Sequence, residues 1–531
     1  MRNITYEGPS TPLSEELDAM KYRQKGETFD GKVKRLARSL CDGTEHQWIL
    51  EDIFGNMRFL PAGRVQSAMG ADKLVTAYNC FVSGEIKDSM DSIMDRAKEA
   101  AETMRRGGGI GYDFSKVRPK GNTIKSLESQ ASGPISFMSI FDAVCQTISS
   151  SGHRRGAQMG VLRIDHPDIV DFITAKRNSD KLTGFNISLG ITDKFMEALS
   201  KEDDSFDLIF EGIVHETVSA NEIWNLAMES TWDWAEPGVL FIDRIKEMNN
   251  LYYCEDISAT NPCGEQPLPP YGACLLGSFN LTKYLTGDTG NYTFNFEQFK
   301  EDIPHVVRAQ DNVVDRTIYP LREQEDEAKN KRRMGLGITG LANAGEMLGF
   351  EYGSKPFLRW MEKVFACLRD NTYYASAKLA EEKGAFPLYR EEYLKGNFIR
   401  TLPSFVQKEI RKHGIRNSHL TSIAPTGTIS LVADNVSGGI EPVFSHSYQR
   451  TIQTFDGPRY EDVKDYAFAK GVSGRKADDI SVYEHLAVLT LAQHYIDSAC
   501  SKTCNVGDDV TYEDFKRVYE TAWKEGAKGC T

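Results

Sequence analysis

The chain has 531 residues, 40% of them hydrophobic and 26% charged, so it can bury a large core and is too long for one small domain. Its net charge of −13 argues against a nucleic-acid-binding surface but is compatible with a local basic pocket for phosphates. No apolar run is long enough to span a membrane, and ten scattered cysteines favour a reducing cytoplasm over a disulfide-stabilised scaffold.

The N-terminal part of the chain predicts a small helical cap. Residues 12–56 indicate two or three short helices joined by polar turns, and Val33, Leu36 and Leu40 give one of them a narrow apolar face. We therefore expect residues 1–57 to form this cap and residues 58–531 to form the main domain. Strand-like runs at 239–242 and 334–338 alternate with helical segments in that domain, which favours an α/β fold.

Residues 88–106 carry a strong helix signal. Asp88 or Ser89 can cap the start of this helix, and Gly107 ends it. An apolar stripe predicts that one face of the helix is packed, formed by Met90, Ile93, Met94, Ala97, Ala101 and Met104.

Residues 259–274 contain an amide, a thiol and a carboxylate at alternate positions, namely Asn261, Cys263 and Glu265. Prolines and a glycine exclude a helix there. In an extended segment, these three side chains would share one face at spacings of about 7 Å. The pattern predicts a catalytic row; the alternative interpretation is a Pro/Gly loop with a buried cysteine.

This run, with a second cysteine at position 274, resembles the finger loop of the ribonucleotide reductase catalytic subunit. Four further motifs occur in that family's order, at residues 78–82, 105–111, 182–188 and 424–430. The resemblance extends from about residue 58 to the C-terminus. It implies a ten-stranded α/β barrel with the cysteine loop threaded through its centre.

The resemblance also implies a reaction, the reduction of ribonucleotides to deoxyribonucleotides by a thiyl radical. Cys263 would remove the 3′-hydrogen, Glu265 would take the 3′-hydroxyl proton, and Asn261 would hydrogen-bond the sugar oxygens. Cys80 and Cys274 would supply two electrons and become a disulfide. Taken alone, Cys80 is more simply read as a buried strand cysteine.

Two nucleotide sites follow from the same resemblance. The implied substrate residues surround a phosphate loop and are Ser67, Asn79, Gly109, Pro425, Thr426, Gly427, Thr428 and Ile429. The implied effector site takes a deoxynucleoside triphosphate or ATP and comprises Asp88, Ser89, Arg118, Lys125, Lys176 and Arg177. Without the resemblance, the first motif is an ordinary turn and the charged stretches are solvated loops.

The radical source stays open at the level of sequence. Motif spelling is closest to the adenosylcobalamin-dependent, class II members of the family. The alternative is a catalytic subunit without its own cofactor, which receives its radical from a separate ferritin-like subunit with a dimetal centre. A third reading, an inactive nucleotide-binding regulatory homologue, is disfavoured by the intact set of three cysteines, Asn261 and Glu265.

Further expectations concern partners and chain ends. The family resemblance implies a thioredoxin- or glutaredoxin-type reductant and a homodimer in the cytoplasm, with no metal site on this chain. About 57 residues precede the implied barrel, so we expect a compact form that lacks an ATP-binding control domain. The family's C-terminal cysteine tail would lie beyond residue 531, on a longer chain or a separate polypeptide.

Overall fold

A computed structural model of the chain describes residues 6–124, 128–148, 156–177, 180–454, 457–505, 507 and 510–530, without the side chains of 452–454. The chain divides into two compact units. The first unit comprises Met1–Asn79, Cys274–Tyr319 and Ala328–Asp508, and the second comprises Cys80–Ala273, Pro320–Glu327 and Asp509–Thr531.

The first unit begins with short helices at Pro12–Tyr22, Phe29–Leu40 and Thr44–Gly55. The side-chain hydroxyls of Thr11 and Thr28 cap the first two, each accepting a hydrogen bond from a backbone N–H in the first turn. The predicted apolar face is confirmed, since Val33, Leu36 and Leu40 are all buried. The boundary between a cap at 1–57 and the rest of the chain stays a prediction.

The sheet of the first unit is centred on the strand Leu276–Asn280. This strand pairs antiparallel with Phe59–Pro61 and parallel with Gly335–Thr339, which confirms the strand predicted at 334–338. Parallel bridges from Leu336 to Thr421 and from Ile423 to Cys500 continue the series. The parallel segments are buried, as expected when helices cover both faces of a sheet.

The other elements of the first unit surround this sheet. Its remaining helices are Gly63–Ala68, Phe296–Arg316, Leu341–Met347, Lys355–Lys383, Asn397–Arg400, Ser404–His413, Gly427–Val432, Tyr466–Ala469 and Val482–Tyr495, with 3₁₀ turns at Leu281–Tyr284, Glu391–Lys395 and Ala477–Asp479. Its remaining strands are the antiparallel pairs Leu285–Thr286 with Thr293–Phe294 and Ser447–Thr454 with Gly457–Lys464. The helix Arg322–Lys331 and the strand Ala273–Cys274 cross the boundary between the units.

The second unit contains a parallel sheet. Its strands lie in the order Cys80–Val82, Gly109–Asp113, Gln158–Arg163, Phe185–Ile191 and Gly238–Phe241. The short strand Gly529–Cys530 adds to the last of these in antiparallel orientation. The strand predicted at 239–242 is therefore confirmed, except that Ile242 already begins a helix.

Helices and hairpins connect these strands. The helices are Met90–Arg105, Pro134–Thr147, Ile169–Thr174, Asp193–Ala198, Ala220–Trp234, Ile242–Glu247 and Tyr512–Lys524. The antiparallel hairpins pair Thr123–Ile124 with Ser129–Gln130, Ser205–Phe210 with Ile213–Ser219, and Ala259–Thr260 with Pro267–Leu268. The alternation of strands and helices confirms the α/β class. None of the helices in the described ranges has both the length and the hydropathy needed to cross a bilayer.

The helix predicted at 88–106 is found at Met90–Arg105, with the Ser89 hydroxyl as its N-cap. The predicted packed stripe is partly wrong, because Met90 is 59% and Met94 is 46% exposed. The buried side is instead a narrower stripe at steps of four, three and four residues, formed by Ile93, Ala97, Ala100 and Met104. The two exposed methionines lie on the neighbouring side of the helix.

A carboxyl group is buried without a counter-charge in the first unit. Glu346 lies on the helix Leu341–Met347, and neither of its carboxyl oxygens has a hydrogen-bond partner among the residues that the structure describes. Burial and the neighbouring charge of Asp465 raise the pKa of Glu346 to about 8. The carboxyl packs so tightly that a Cβ atom at Gly474 would come within 1.8 Å of Glu346 Cδ.

This burial predicts a pH-dependent stability. At neutral pH the Glu346 carboxyl group is protonated in the folded protein and ionised in the unfolded protein. Its contribution to the free energy of unfolding is therefore lost as the pH rises from its unfolded pKa towards about 8. Relative to Glu346→Gln, we expect wild type to lose about 1.4 kcal/mol of unfolding free energy per pH unit in this window, with no further loss above it. Denaturant unfolding between pH 5 and 9 measures the difference; parallel curves for the two proteins would contradict it.

Candidate active site

The segment that carries Cys263 is a tight hairpin. Its arms are Ala259–Thr260 and Pro267–Leu268, and the chain reverses between Asn261 and Gln266. The backbone N–H of Asn261 donates to Gln266 O at 3.1 Å, and its side-chain Oδ1 accepts from Gln266 N at 3.0 Å. We call residues 259–268 the cysteine hairpin.

This geometry corrects the prediction of an extended catalytic row. The backbone N–H of Gly264 donates to Asn261 O, and Gly264 has a φ of +79°, so the segment is a turn rather than a strand. Asn261 and Glu265 are buried, whereas Cys263 is exposed at the tip. The turn, not strand alternation, therefore brings Asn261 close to Glu265.

Glu265 is a buried carboxyl group with an unusual pKa. Only 2% of the residue is exposed, and this burial raises its pKa to about 7. The nearby polar groups of the Asn261 side chain and of the Glu265 backbone partly offset this rise in pKa. A carboxyl group with a pKa near 7 is suited to accept and release a proton at neutral pH.

Two glycines allow the cysteine hairpin to lie directly against the strand Gly109–Asp113. A Cβ atom at Gly111 would be 1.8 Å from the carbonyl oxygen of Thr260, so no other residue fits without moving the hairpin. A Cβ atom at Gly109 would be 3.1 Å from Pro262 Cγ and 3.5 Å from the Cys80 sulfur. Gly109 therefore lies beside both the hairpin and the first predicted redox thiol.

The strand segments next to Cys80 and Cys274 are fixed by backbone hydrogen bonds. In the second unit, Val82 N donates to Gly272 O at 2.9 Å; in the first, Asn79 N donates to Cys274 O at 3.3 Å. Cys80 is half-buried, and Cys274 is buried. The side-chain Oδ1 of Asn79 is also buried and has no hydrogen-bond partner within the described part of the chain.

Sequence reasoning missed a clamp around Tyr271, which follows the cysteine hairpin. Tyr271 has a φ of +64° in a turn where glycine is usual, closed by Gly272 N donating to Pro269 O. Its hydroxyl donates to the Glu99 carboxylate at 3.3 Å, and the Arg96 guanidinium lies 5.5 Å from its ring centroid.

The clamp depends on a further glycine and connects the hairpin to a helix. A Cβ atom at Gly84 would be 2.4 Å from the Tyr271 hydroxyl. Arg96 also forms a 2.8 Å ion pair with Glu99, and both lie on the helix Met90–Arg105. The Pro-Pro-Tyr-Gly run could have indicated a turn, but the residues that contact Tyr271 are far away in sequence.

Gln266 was also missed by sequence reasoning. Its side-chain amide is buried and has no hydrogen-bond partner among the described residues.

The predicted phosphate loop lies in the first unit, where Thr426 is the N-cap of the helix Gly427–Val432 and residues 427–429 form its first turn. Pro425 and Gly427 are exposed and Thr428 is half-buried, whereas Thr426 and Ile429 are buried. The loop thus presents some of its predicted substrate residues to solvent and directs others into the unit.

Ser67, the remaining substrate residue of the first unit, lies in the helix Gly63–Ala68. Its hydroxyl donates to Arg64 O within that helix.

The predicted effector residues separate into two groups. Arg118 donates to both carboxylate oxygens of Asp88, with Nε to Oδ2 at 2.7 Å and backbone N to Oδ1 at 3.1 Å. Ser89 is occupied as a helix cap. Lys125 lies outside the described residues.

The second group is bound elsewhere. Lys176 pairs with Glu236 at 2.5 Å, and Arg177 Nε donates to Ser230 Oγ at 2.9 Å. Both side chains are thus held by the region around the helix Ala220–Trp234, a contact that local sequence does not reveal.

Comparison with known proteins identifies the family. Residues 78–470 and 474–531 match the family described as "Ribonucleotide reductase, barrel domain". The chain therefore belongs to the ribonucleotide reductase barrel-domain family, as the sequence motifs predicted.

Several curated proteins that are similar in sequence to this chain carry vitamin B12 dependence in their names. The chain is 34% identical to a vitamin B12-dependent ribonucleoside-diphosphate reductase of Thermoplasma acidophilum, over 91% of this chain and 64% of that protein. It is 34% identical to a protein of the same name in Mycobacterium tuberculosis, over 95% of this chain and 74% of that protein. A vitamin B12-dependent ribonucleotide reductase of Streptomyces coelicolor is 28% identical over 85% of this chain and 55% of that protein. The chain thus spans about two thirds of the first of these relatives and about half of the last.

Gly111 offers a direct test of how the hairpin is seated. Gly111→Ala should displace the hairpin or lower the unfolding free energy by about 3 kcal/mol, the upper end for overpacking, because its Cβ would overlap a backbone oxygen. Denaturant unfolding and the rate at which a thiol reagent labels Cys263 measure the two effects. Gly109→Ala, with a nearest contact of 3.1 Å, is the matched control and should change both much less. Equal effects of the two variants would refute this account.

Proposed function

We propose that this chain is the catalytic subunit of a class II ribonucleotide reductase, which reduces ribonucleoside diphosphates to deoxyribonucleotides for DNA synthesis. The observation that carries the proposal is the cysteine hairpin, where an exposed thiol lies between a buried amide and a buried carboxyl group of pKa about 7. Family membership and the names of the relatives support it. An inactive regulatory homologue is disfavoured by the intact set of Cys80, Asn261, Cys263, Glu265 and Cys274.

The proposed fold is the ten-stranded α/β barrel with the cysteine hairpin as its central finger loop. Five parallel strands among the described residues of the second unit supply one half. The parallel series from Leu276–Asn280 through Gly335–Thr339 to the bridges at Thr421, Ile423 and Cys500 supports the other half.

The residues of the hairpin divide the proposed reaction between them. The Cys263 thiyl radical takes the 3′-hydrogen of the ribose, and the carboxylate of Glu265 takes the proton of the 3′-hydroxyl. Asn261 holds the sugar oxygens. The 2′-hydroxyl then leaves as water with a proton from one redox cysteine, and the 2′-carbon takes a hydrogen atom from the other. The two sulfurs join and pass one electron to the 3′-carbonyl group, and Glu265 returns its proton to the 3′-oxygen. Cys263 finally returns its hydrogen to the 3′-carbon, so that two thiols and a ribonucleotide become a disulfide, water and a deoxyribonucleotide.

We assign the two-electron step to Cys80 and Cys274. The assignment rests on the family motifs in which the two cysteines stand; Cys80 is half-buried at the start of the strand Cys80–Val82, and Cys274 is buried.

Adenosylcobalamin is the proposed radical source. When bound, it supplies a carbon radical able to oxidise a thiol. The exposure of Cys263 at the hairpin tip fits this role, because its sulfur is reachable from outside the second unit. This chain's part is to present Cys263 while keeping Asn261 and Glu265 away from water.

The finer partners are proposed on family membership and on local contacts. Substrate binds at Ser67, Asn79, Gly109 and the residues 425–429, and a deoxynucleoside triphosphate or ATP effector binds around Asp88, Ser89 and Arg118, with Lys125, Lys176 and Arg177 on adjoining loops. The Asp88–Arg118 pair, partly exposed beside the start of a helix, supports the effector site. A thioredoxin- or glutaredoxin-type reductant, a homodimer and a cytoplasmic location complete the proposal.

Cys263→Ser tests the reaction. With a ribonucleoside diphosphate, an effector and adenosylcobalamin, wild type should form deoxynucleotide and, without added reductant, accumulate a Cys80–Cys274 disulfide detectable by mass spectrometry. Cys263→Ser should bind the nucleotide and do neither, whereas Cys41→Ser, a cysteine remote from the hairpin in sequence, should behave as wild type.

Two results would overturn parts of this proposal. Product formation by Cys263→Ser would remove the thiol from its role. If wild type is inactive with adenosylcobalamin but active with a metal-loaded small subunit, the class I alternative replaces class II.

Glu265 predicts the pH dependence of turnover. Because the carboxylate form is the base and its pKa is about 7, kcat/KM should rise about tenfold per pH unit below pH 7 and level off above it. Glu265→Gln should lose activity at all pH values. A wild-type profile that is flat down to about pH 5, near the ordinary pKa of a glutamate, would show that Glu265 is not the titrating base.

A further inference from the structure

Thr426 has a backbone conformation that is rare for its residue type. Its φ is +54° and its ψ is 19°, in the left-handed region, where a β-branched side chain is strained. Such strain persists only where the surroundings enforce it. Thr426 lies in the proposed phosphate loop but is only 8% exposed, so its side chain faces into the first unit.

The hydroxyl of Thr426 is fully used by the protein. It accepts a hydrogen bond from Gly439 N at 2.8 Å and lies 2.9 Å from the hydroxyl of Thr339. Thr339 donates its only hydroxyl hydrogen to Ser437 O at 3.0 Å, because a carbonyl oxygen can only accept. The hydrogen between the two threonines therefore comes from Thr426, which leaves Thr426 no hydrogen to donate to a phosphate.

A glycine-containing segment holds the loop from behind. We call residues 437–439 the Ser437 strap. Cβ atoms at Gly438 and Gly439 would lie 2.7 Å from Pro425 O and 2.6 Å from Ala424 O, so the strap is in direct contact with the loop backbone.

The strap is in turn fixed by a buried amide. Asn343 Oδ1 accepts from Ser437 N at 2.7 Å, and Asn343 Nδ2 donates to both carboxylate oxygens of Asp465 at 2.9 and 3.0 Å. Gly340 N also donates to Ser437 O. Asn343 is completely buried and Asp465 nearly so, so this network has no exchange with solvent.

The second threonine of the loop, Thr428, differs from Thr426 in its burial and in its hydrogen bonds. Thr428 is half-buried, and its hydroxyl makes no hydrogen bond to any residue that the structure describes. The two threonines thus differ, because the hydroxyl of Thr426 is bonded within the protein and that of Thr428 is not bonded to any residue that the structure describes.

We propose that Thr426 is a positioning residue, and that the chain of hydrogen bonds from Thr426 through Thr339 and the Ser437 strap to Asn343 sets the shape of the phosphate loop. The proposal rests on the proposed function, since it takes residues 425–429 as the substrate-phosphate site. The backbone of Thr426 shapes the loop, whereas its hydroxyl bonds, among the described residues, only to Gly439 N and the Thr339 hydroxyl.

The experiment measures substrate binding to the full chain. Thr339 is completely buried behind the loop and does not reach substrate, so Thr339→Val removes only the network. We expect Thr339→Val and Thr426→Val each to weaken ribonucleoside diphosphate binding about tenfold, and we expect Thr339→Val to leave kcat at saturation nearly unchanged. The double variant should be no weaker than either single variant, because both break the same chain of bonds. Thr339→Ser, which keeps the hydroxyl, should restore wild-type binding.

Several outcomes decide the proposal. Wild-type affinity in Thr339→Val, or fully additive losses in the double variant, would overturn it. If Thr339→Val does not fold, the substrate affinities of Thr426→Ser, which keeps the hydroxyl, and Thr426→Val, which lacks it, are compared instead. Equal affinities of these two variants would also overturn the proposal. If the wild-type chain binds no ribonucleotide, the proposed function itself fails. This outcome is distinguishable from failure of the positioning proposal, because it is seen with the wild-type chain alone.

Discussion

The contact between the carbonyl oxygen of Thr260 and Gly111 is the constraint on which the second unit depends. Because position 111 has no side chain, the cysteine hairpin lies directly on the parallel sheet, with Pro262 against Gly109. Asn186 Nδ2 donates to Pro262 O at 3.0 Å from a neighbouring strand and fixes the hairpin from a second side. The position of Cys263 is therefore set by the sheet and not by the loop's own flexibility.

Seating the hairpin in this way has an electrostatic consequence. Glu265 and Gln266 are enclosed together with Asn261, and each of the three residues is at most 2% exposed. This burial raises the pKa of Glu265 to about 7, so a small change in its surroundings can add or remove a proton near neutral pH. Burial also raises the pKa of Glu346 in the first unit, where no catalytic role is proposed, so a raised pKa alone does not mark a catalytic group.

Local patterns predicted much of this architecture. The strands at 239–242 and 334–338 and the helix Met90–Arg105 follow from alternation, periodicity and a cap, and these signals lie within a few residues of the elements they predict. The order Asn261, Cys263, Glu265 and the family motifs identified the hairpin. Its turn geometry was not predicted. The prolines and the glycine that exclude a helix allow either an extended segment or a turn, and the hydrogen bond from Asn261 N to Gln266 O, which closes the turn, cannot be read from the sequence. The clamp of Tyr271 on Glu99 and the pairing of Lys176 with Glu236 join residues 172 and 60 positions apart, beyond any local signal.

Thr426 and Tyr271 share a feature that bears on how this fold tolerates engineering. Both hold a left-handed backbone with a bulky side chain, where glycine would relieve the strain. Glycine at either position would relieve the backbone strain but would remove the hydrogen bond between Tyr271 and Glu99 or the one between Thr426 and Thr339. In a library selected only for resistance to heat these two effects oppose each other, so a mutation that relaxes the backbone at either loop also loosens the contact that fixes its side chain.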